Sequence, residues 1–185
     1  KFSLVGATTK AGLLSKPLRD RFGLVFSLNF YSPQELIKIV LNAAAFLEVE
    51  INEKEALEIA IRSRGTPRIA INLIKRARDY ASVYKSGKID SSTIQNTFES
   101  LRIDELGLGE EDRKLLLLLK SKNGKPLGLT TIQAILNEDK TTIEEMIEPY
   151  LLSLCFIEKT PKGRILTSKG FKYLIEKGYQ EEGNN

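Results

Sequence analysis

The tetrapeptide Ser32-Pro33-Gln34-Glu35 constrains the fold more than any other stretch of the 185 residues. Ser32 supplies an N-cap hydroxyl, Pro33 a preset φ at the first helical position, and Glu35 the carboxylate that closes a capping box. Leu36, Ile39, Val40, Ala43 and Leu47 then recur at helical spacing, so this helix carries an apolar stripe that needs a partner. The same punctuation repeats downstream. Asn52 with Glu55 predicts a second helix that Gly65 stops, and Thr66-Pro67 opens a third running to about Tyr84, with Ile69, Leu73 and Ala77 on its apolar face. KSGK is a turn, and Asp90 starts a fourth helix that ends near Leu101. Helices this short cannot bury their stripes singly, so residues 32–103 make a small bundle.

After residue 104 the pattern changes. LGLGEED, Leu106 to Asp112, reads as a linker running into a helix over 110–121. The turn NGKPLG, a short helix from Thr130 to Leu136 and a longer one from Thr141 to near Leu154 follow. CFIEK and RILTS are strands around the tight turn TPKG, Ser168 caps a last helix, and QEEGNN is expected to fray. Helices followed by a basic hairpin give the order of a winged helix. At the other end, KFSLVGATT and LVFSLNF (Leu24 to Phe30) are strand candidates with no sheet to join, so residues 1–31 are expected to be poorly ordered or paired with a neighbour. The fold class is mainly α, with α+β character from the terminal strands and the hairpin.

Composition narrows the chemistry. With no histidine and only Cys155, imidazole bases, disulfides and nearly all zinc sites are excluded. A lone cysteine favours a reducing compartment, and the longest aliphatic block, Leu115–Leu119, is far too short for a membrane span. The net charge of +4 is uneven: residues 1–105 hold 16 basic and 12 acidic side chains, whereas residues 106–185 hold 12 of each. A local basic patch can still sit inside that neutral half.

Four polar features have two readings each. Gly6-Ala7-Thr8-Thr9 puts hydroxyls at the carboxyl end of a strand candidate, the edge where open α/β sheets bind ligands, or it is an ordinary strand exit. In LSKPLRDRFG, Arg19 and Arg21 flank Asp20, as a surface ion pair or as an arginine aimed away from its own chain. In GTPRIA, Arg68 falls in the first turn of a helix, where the macrodipole disfavours a cation; it faces solvent or an anion such as phosphate. From Lys159 to Lys177 the hairpin and last helix carry six basic residues, Lys159, Lys162, Arg164, Lys169, Lys172 and Lys177, against Glu176 alone. The helix before them carries Glu144, Glu145 and Glu148, so a DNA contact would use the wing and Lys140; a solvated charged hairpin is the other reading.

GATT, PLRDRFG, FY, RGTPRIA, DRKLLL, EPYL and TPKGR occur in this order across nearly the whole chain. Together they closely resemble the RuvB family, bacterial AAA+ motors that drive branch migration of Holliday junctions in recombination and repair. The resemblance implies three parts: the last strands of an ATPase domain in residues 1–31, a helical lid in 32–103 and a winged-helix head in 104–185. It implies Thr9, with Thr8 beside it, as sensor 1; Arg21 as an arginine finger acting on a neighbouring subunit's ATP; Arg68 as sensor 2; and Tyr31 as a residue lining the nucleotide pocket. Lys159, Arg164, Lys140 and Lys162 match positions expected to touch DNA. Lysine at 159 and 162, where relatives often have arginine, keeps the charge but gives up bidentate grip.

ATP with Mg2+, a homohexameric ring, DNA, RuvA and, as a further candidate, RuvC are the partners implied, in the cytoplasm and away from membranes. No G-x-x-x-x-G-K-[ST] occurs: Lys125 in NGKP is followed by proline, and Arg102 interrupts any apolar strand before Asp104-Glu105. This chain alone is therefore expected to bind no nucleotide and to hydrolyse none. A sequence-specific winged-helix regulator would need a basic recognition helix instead of the acidic one here. A clamp-loader-type subunit would be expected to end in a helical collar.

Overall fold

The computed structural model describes residues 2–84 and 87–179, so QEEGNN and the first half of KSGK lie outside the described residues. The chain divides into two compact units, residues 1–30 and 31–185. In the first, none of residues 2–30 forms a strand; Ala11–Leu13 is a 3-10 turn and α1 (Lys16–Arg19) a single helical turn. The strand candidates stay extended but unpaired. Phe2, Val5 and Leu28 are each more than 90% exposed, as expected for strands with no neighbour to satisfy backbone or side chain.

The second unit begins with the bundle. Helix α2 (Pro33–Phe46) has the expected capping box: Glu35 N–H donates to Ser32 Oγ at 3.3 Å, and Ser32 N–H donates to Glu35 Oε2 at 2.8 Å. Helices α3 (Glu53–Arg62), α4 (Pro67–Tyr84) and α5 (Ser91–Ser100) complete it around Leu36, Val40, Ile59, Ile74 and Phe98. Asp90 caps α5 through the Thr93 N–H at 2.8 Å, whereas Asn52 makes no side-chain cap for α3. One pairing went unforeseen: β1 (Glu50–Ile51) runs parallel to β2 (Lys88–Ile89), with Lys88 Nζ 2.6 Å from Glu50 Oε1. Strands of two residues have no period for sequence to reveal.

The head packs α6 (Glu110–Ser121), α7 (Leu129–Leu136), α8 (Glu148–Ser153) and α9 (Ser168–Glu176) around Leu115, Leu119, Ile132, Ile143, Leu151 and Leu174. The expected long helix from Thr141 is a composite. Its first turn is capped by Asp139, which accepts from Thr142 N–H at 2.9 Å, and Thr142–Ile147 is a π-helical stretch leading into α8. Pro149, which has no N–H to donate, sits in the turn where the α ladder resumes. The hairpin is β3 (Ile157–Thr160) antiparallel to β4 (Gly163–Leu166), with Lys159 opposite Arg164. Leu127 joins the edge of β4 through a single bridge to Arg164, its N–H donating at 2.9 Å and its carbonyl accepting at 2.8 Å. Gly163 is required there: φ is 136°, and a Cβ would collide with the Leu127 carbonyl. Thr167, not Ser168, caps α9, its Oγ1 accepting from Gly170 N–H at 3.0 Å.

LGLGEED is not a free linker. Leu108 is fully buried in the head core, a contribution of about 1.5–3 kcal/mol for one side chain. Asp104 Oδ1 accepts from Leu106 N–H at 2.9 Å and Leu108 N–H at 2.8 Å, which folds the connection back on itself.

Candidate functional site

The α3–α4 loop gathers two of the expected nucleotide contacts. Arg64 and Gly65 both have positive φ, 52° and 68°, which reverses the chain between the helices. Gly65 O accepts from Tyr31 N–H at 2.9 Å, so Tyr31 is tied to the loop that carries Arg68. Tyr31 is 45% exposed, and Arg68 stands exposed in the first turn of α4 without a carboxylate partner among the described residues. An arginine there, beside N–H groups at a helix N-terminus, is arranged to meet an anion.

In the first unit Arg21 and Arg19 are exposed. Neither pairs with Asp20 or with any acid among the described residues, so the local ion pair that would explain the motif is not formed. Thr8 Oγ1 accepts from Lys10 N–H at 3.0 Å; Thr9 is exposed. Among the described residues no cluster of three or more Asp, Glu, Cys or His side chains gathers to hold a metal. The sequence contains no P-loop motif either, so Thr8, Thr9 and Arg21 stand as exposed hydroxyl and guanidinium groups.

The wing is arranged differently from the expectation. Arg164 turns inward: its Nε donates to Glu148 Oε1 at 2.6 Å, and its Nη2 donates to Glu148 Oε2 at 3.2 Å and Glu144 Oε1 at 3.1 Å. Glu148 is fully buried and the Arg164 side chain 13% exposed; the pair holds the guanidinium above its ordinary pKa. Lys159 Nζ lies 2.6 Å from Glu148 Oε2. The acidic helix is therefore the clasp of the wing, with Arg164 paired inside the head. Lys140, 3.9 Å from Glu144 and 66% exposed in its side chain, and the exposed Lys162 remain outward. Sequence reasoning missed Glu148 as a structural acid. Its signal was a carboxylate set beside the buried stripe of Ile143, Ile147 and Leu151.

A second network, also missed, joins bundle to head. Arg64 Nε donates to Gly107 O at 2.8 Å, and its two Nη groups donate to both Asp112 oxygens, Nη1 at 3.3 Å. Asp112 Oδ2 also accepts from Gly109 N–H at 2.8 Å, and burial pushes its carboxyl above the ordinary range against the pull of Arg64. Tyr173 donates to Asp104 Oδ2, and Lys177 lies 2.6 Å from Glu105 Oε2. The Asp-Glu pair of IDEL thus serves this junction.

These arrangements define a small helical lid carrying a winged-helix head. The family models agree part by part: the RuvB AAA lid domain over residues 31–104, the RuvB C-terminal winged helix domain over 105–175, and the Holliday junction DNA helicase RuvB P-loop domain over 1–28. The Holliday junction branch migration complex subunit RuvB of Nitratiruptor sp. is 53% identical over 174 residues, 94% of this chain and 52% of that protein. Its counterpart from Helicobacter pylori strain G27 is 52% identical over 168 residues, 91% of this chain and 50% of that one. Two solved Thermotoga maritima structures align: a RuvB mutant with TM-score 0.83 over 92% of this chain and 57% of that one, and the RuvB Holliday junction branch migration motor with TM-score 0.81 over 89% and 55%. Both are 47% identical. The chain belongs to the RuvB family and corresponds to its C-terminal portion. It spans about half the length of the curated relatives it matches.

Proposed function

We propose that this chain is the lid-and-head part of an ATP-driven subunit that moves Holliday junctions. The observation that carries the reading is the RuvB lid and RuvB winged helix in one compact unit, 47% identical to a branch migration motor. In this reading the ATP and Mg2+ are held by a P-loop and acidic strand that this sequence does not contain. Phosphoryl transfer then depends on placing charge where the transition state develops it. Arg21 supplies that charge across a hexamer interface, Thr9 and Thr8 orient the attacking water, and Arg68 with Tyr31 reports phosphate occupancy to the lid. The head holds duplex arms by phosphate contacts from Lys162 and Lys140, with Lys159 able to leave Glu148 for DNA because it is 44% exposed. RuvA and RuvC are the proposed partners and the cytoplasm the proposed location. No helix among the described residues is long and apolar enough to cross a membrane.

The test is Arg21→Ala in a full-length RuvB that bears this chain as its C-terminal portion. ATP turnover should fall by about 10³-fold or more while the melting temperature is unchanged. Adding subunits that lack the P-loop lysine but keep Arg21 should restore part of the activity. Near-normal turnover in the mutant overturns the finger assignment.

A further inference from the structure

The loop that carries Arg68 also reaches into the head. Arg64 lies four residues earlier, and its guanidinium is fixed on four sides: by Gly107 O at 2.8 Å, by both oxygens of Asp112, and by the Tyr150 ring 4.9 Å below. Tyr150 is held in turn by its hydroxyl, which donates to Leu106 O at 2.6 Å. Gly107 has φ 79°, and a Cβ there would collide with the Arg62 carbonyl, so the junction backbone is pressed directly on the end of α3. Asp112 is 3% exposed and its carboxylate also takes the Gly109 N–H at the start of α6. One carboxylate therefore anchors the first helix of the head to the loop that begins the Arg68 helix of the lid.

We propose that Arg64 and Asp112 are positioning residues that fix the angle between lid and head, so that a shift of the Arg68 loop turns the winged helix with it. Neither residue belongs to the proposed nucleotide or DNA contacts. A bidentate pair stacked on a ring resists rotation as well as separation, which a single surface ion pair does not. A connection held only by chain continuity would let the lid move while the head stayed with its DNA. The pair removes that freedom, because it directly joins the turn that leads to Arg68 with the start of α6. This inference rests on the motor reading only in what the rigidity is for; the rigidity is a property of this chain.

Two measurements decide it. In the 185-residue chain with Cys155→Ser, spin labels at Asn42→Cys in α2 and Ala134→Cys in α7 report the lid-to-head distance by pulsed electron resonance. The distribution should be narrow, should broaden at least about twofold in Arg64→Ala and in Asp112→Ala, and should be no broader in the double variant, because the two act as one unit. Far-UV circular dichroism tells broadening from unfolding, and Arg64→Lys, which keeps charge but not the fork, should fall between. Distributions that stay narrow in both alanine variants overturn the proposal. In full-length RuvB the same variants should consume about fivefold more ATP per base pair moved, with DNA affinity unchanged. Broadening without any change in that ratio overturns the transmission role. A wild-type protein that moves no junctions overturns the motor reading instead, and the label distances still decide the pair.

Discussion

Arg164→Ala tests the clasp of the wing most directly. The variant leaves Glu148, fully buried, with Lys159 as its single cationic partner, and that lysine is 44% exposed. Removing one partner of a buried pair costs about 3–5 kcal/mol, whereas a half-exposed ion pair such as Lys159–Glu148 returns only about 0–1 kcal/mol. The expected loss is therefore about 3 kcal/mol, or about 6–12 °C in a thermal melt of a chain this size. Glu148→Ala should cost somewhat less, because Arg164 keeps Glu144 at 3.1 Å. Replacing both, as Glu148→Met with Arg164→Leu, removes both charges and should return to within about 1 kcal/mol of the parent. Circular dichroism melts measure all three. DNA binding supplies the second readout: if Arg164 serves the fold alone, the double variant keeps the parent's dependence of affinity on salt. A stability loss under about 1 kcal/mol for Arg164→Ala, together with a salt slope lower by about one unit, would refute the clasp and return Arg164 to the phosphates.

Three further outcomes follow from particular contacts. Arg21→Ala should change the stability of this chain by less than about 0.5 kcal/mol in a urea titration, since the side chain is exposed and pairs with no acid among the described residues. Gly107→Ala should destabilise by about 1–3 kcal/mol in the same titration, from positive φ and from pressure on the Arg62 carbonyl. Thr167→Ala removes the Oγ1 that caps α9 and donates to the carbonyls of Cys155 and Phe156, and should cost about 1–2 kcal/mol by thermal melt.

Local chemistry was legible at most points where one short segment decided the outcome, although Asn52 makes no cap and the cap of α9 is Thr167 rather than Ser168. The Ser32–Glu35 capping box, the Asp90 cap, the 110–121 helix and the hairpin around TPKG all stand where spacing put them. What escaped depends on residues far apart in the chain. Arg64 and Asp112 are 48 positions apart, and Tyr173 meets Asp104 across 69. Each of these side chains alone looks like a surface group, because sequence gives its type but not its burial. The strand candidates stay unpaired, as a segment with no sheet to join must: residues 2–9 and 24–30 have strand composition, but a strand exists only when a neighbour takes its hydrogen bonds. The helix from Thr141 runs to Ser153 as spacing put it, but its π-helical stretch, Thr142–Ile147, follows no periodicity rule.

Counting basic residues overstates what the head can offer DNA. Of the six cations from Lys159 to Lys177, Lys159 and Arg164 are drawn to Glu148, Lys172 lies 3.6 Å from Glu176 and Lys177 is held by Glu105. Lys162 and Lys169 alone have no carboxylate partner among the described residues. Each phosphate neutralised contributes about −0.9 to the slope of log K against log salt. Two free lysines predict a slope of about −2 for duplex binding, and Lys140 joining them about −3; all six would give about −5. The difference is measurable by fluorescence anisotropy from 50 to 200 mM salt. Lys162→Ala and Lys169→Ala should each flatten the slope by about one unit, whereas Lys177→Ala should leave it alone. A slope near −5 in the parent would mean that DNA strips the acids from their lysines. That outcome would refute the reading of the acidic helix as a standing clasp and make it a competitor that phosphate displaces.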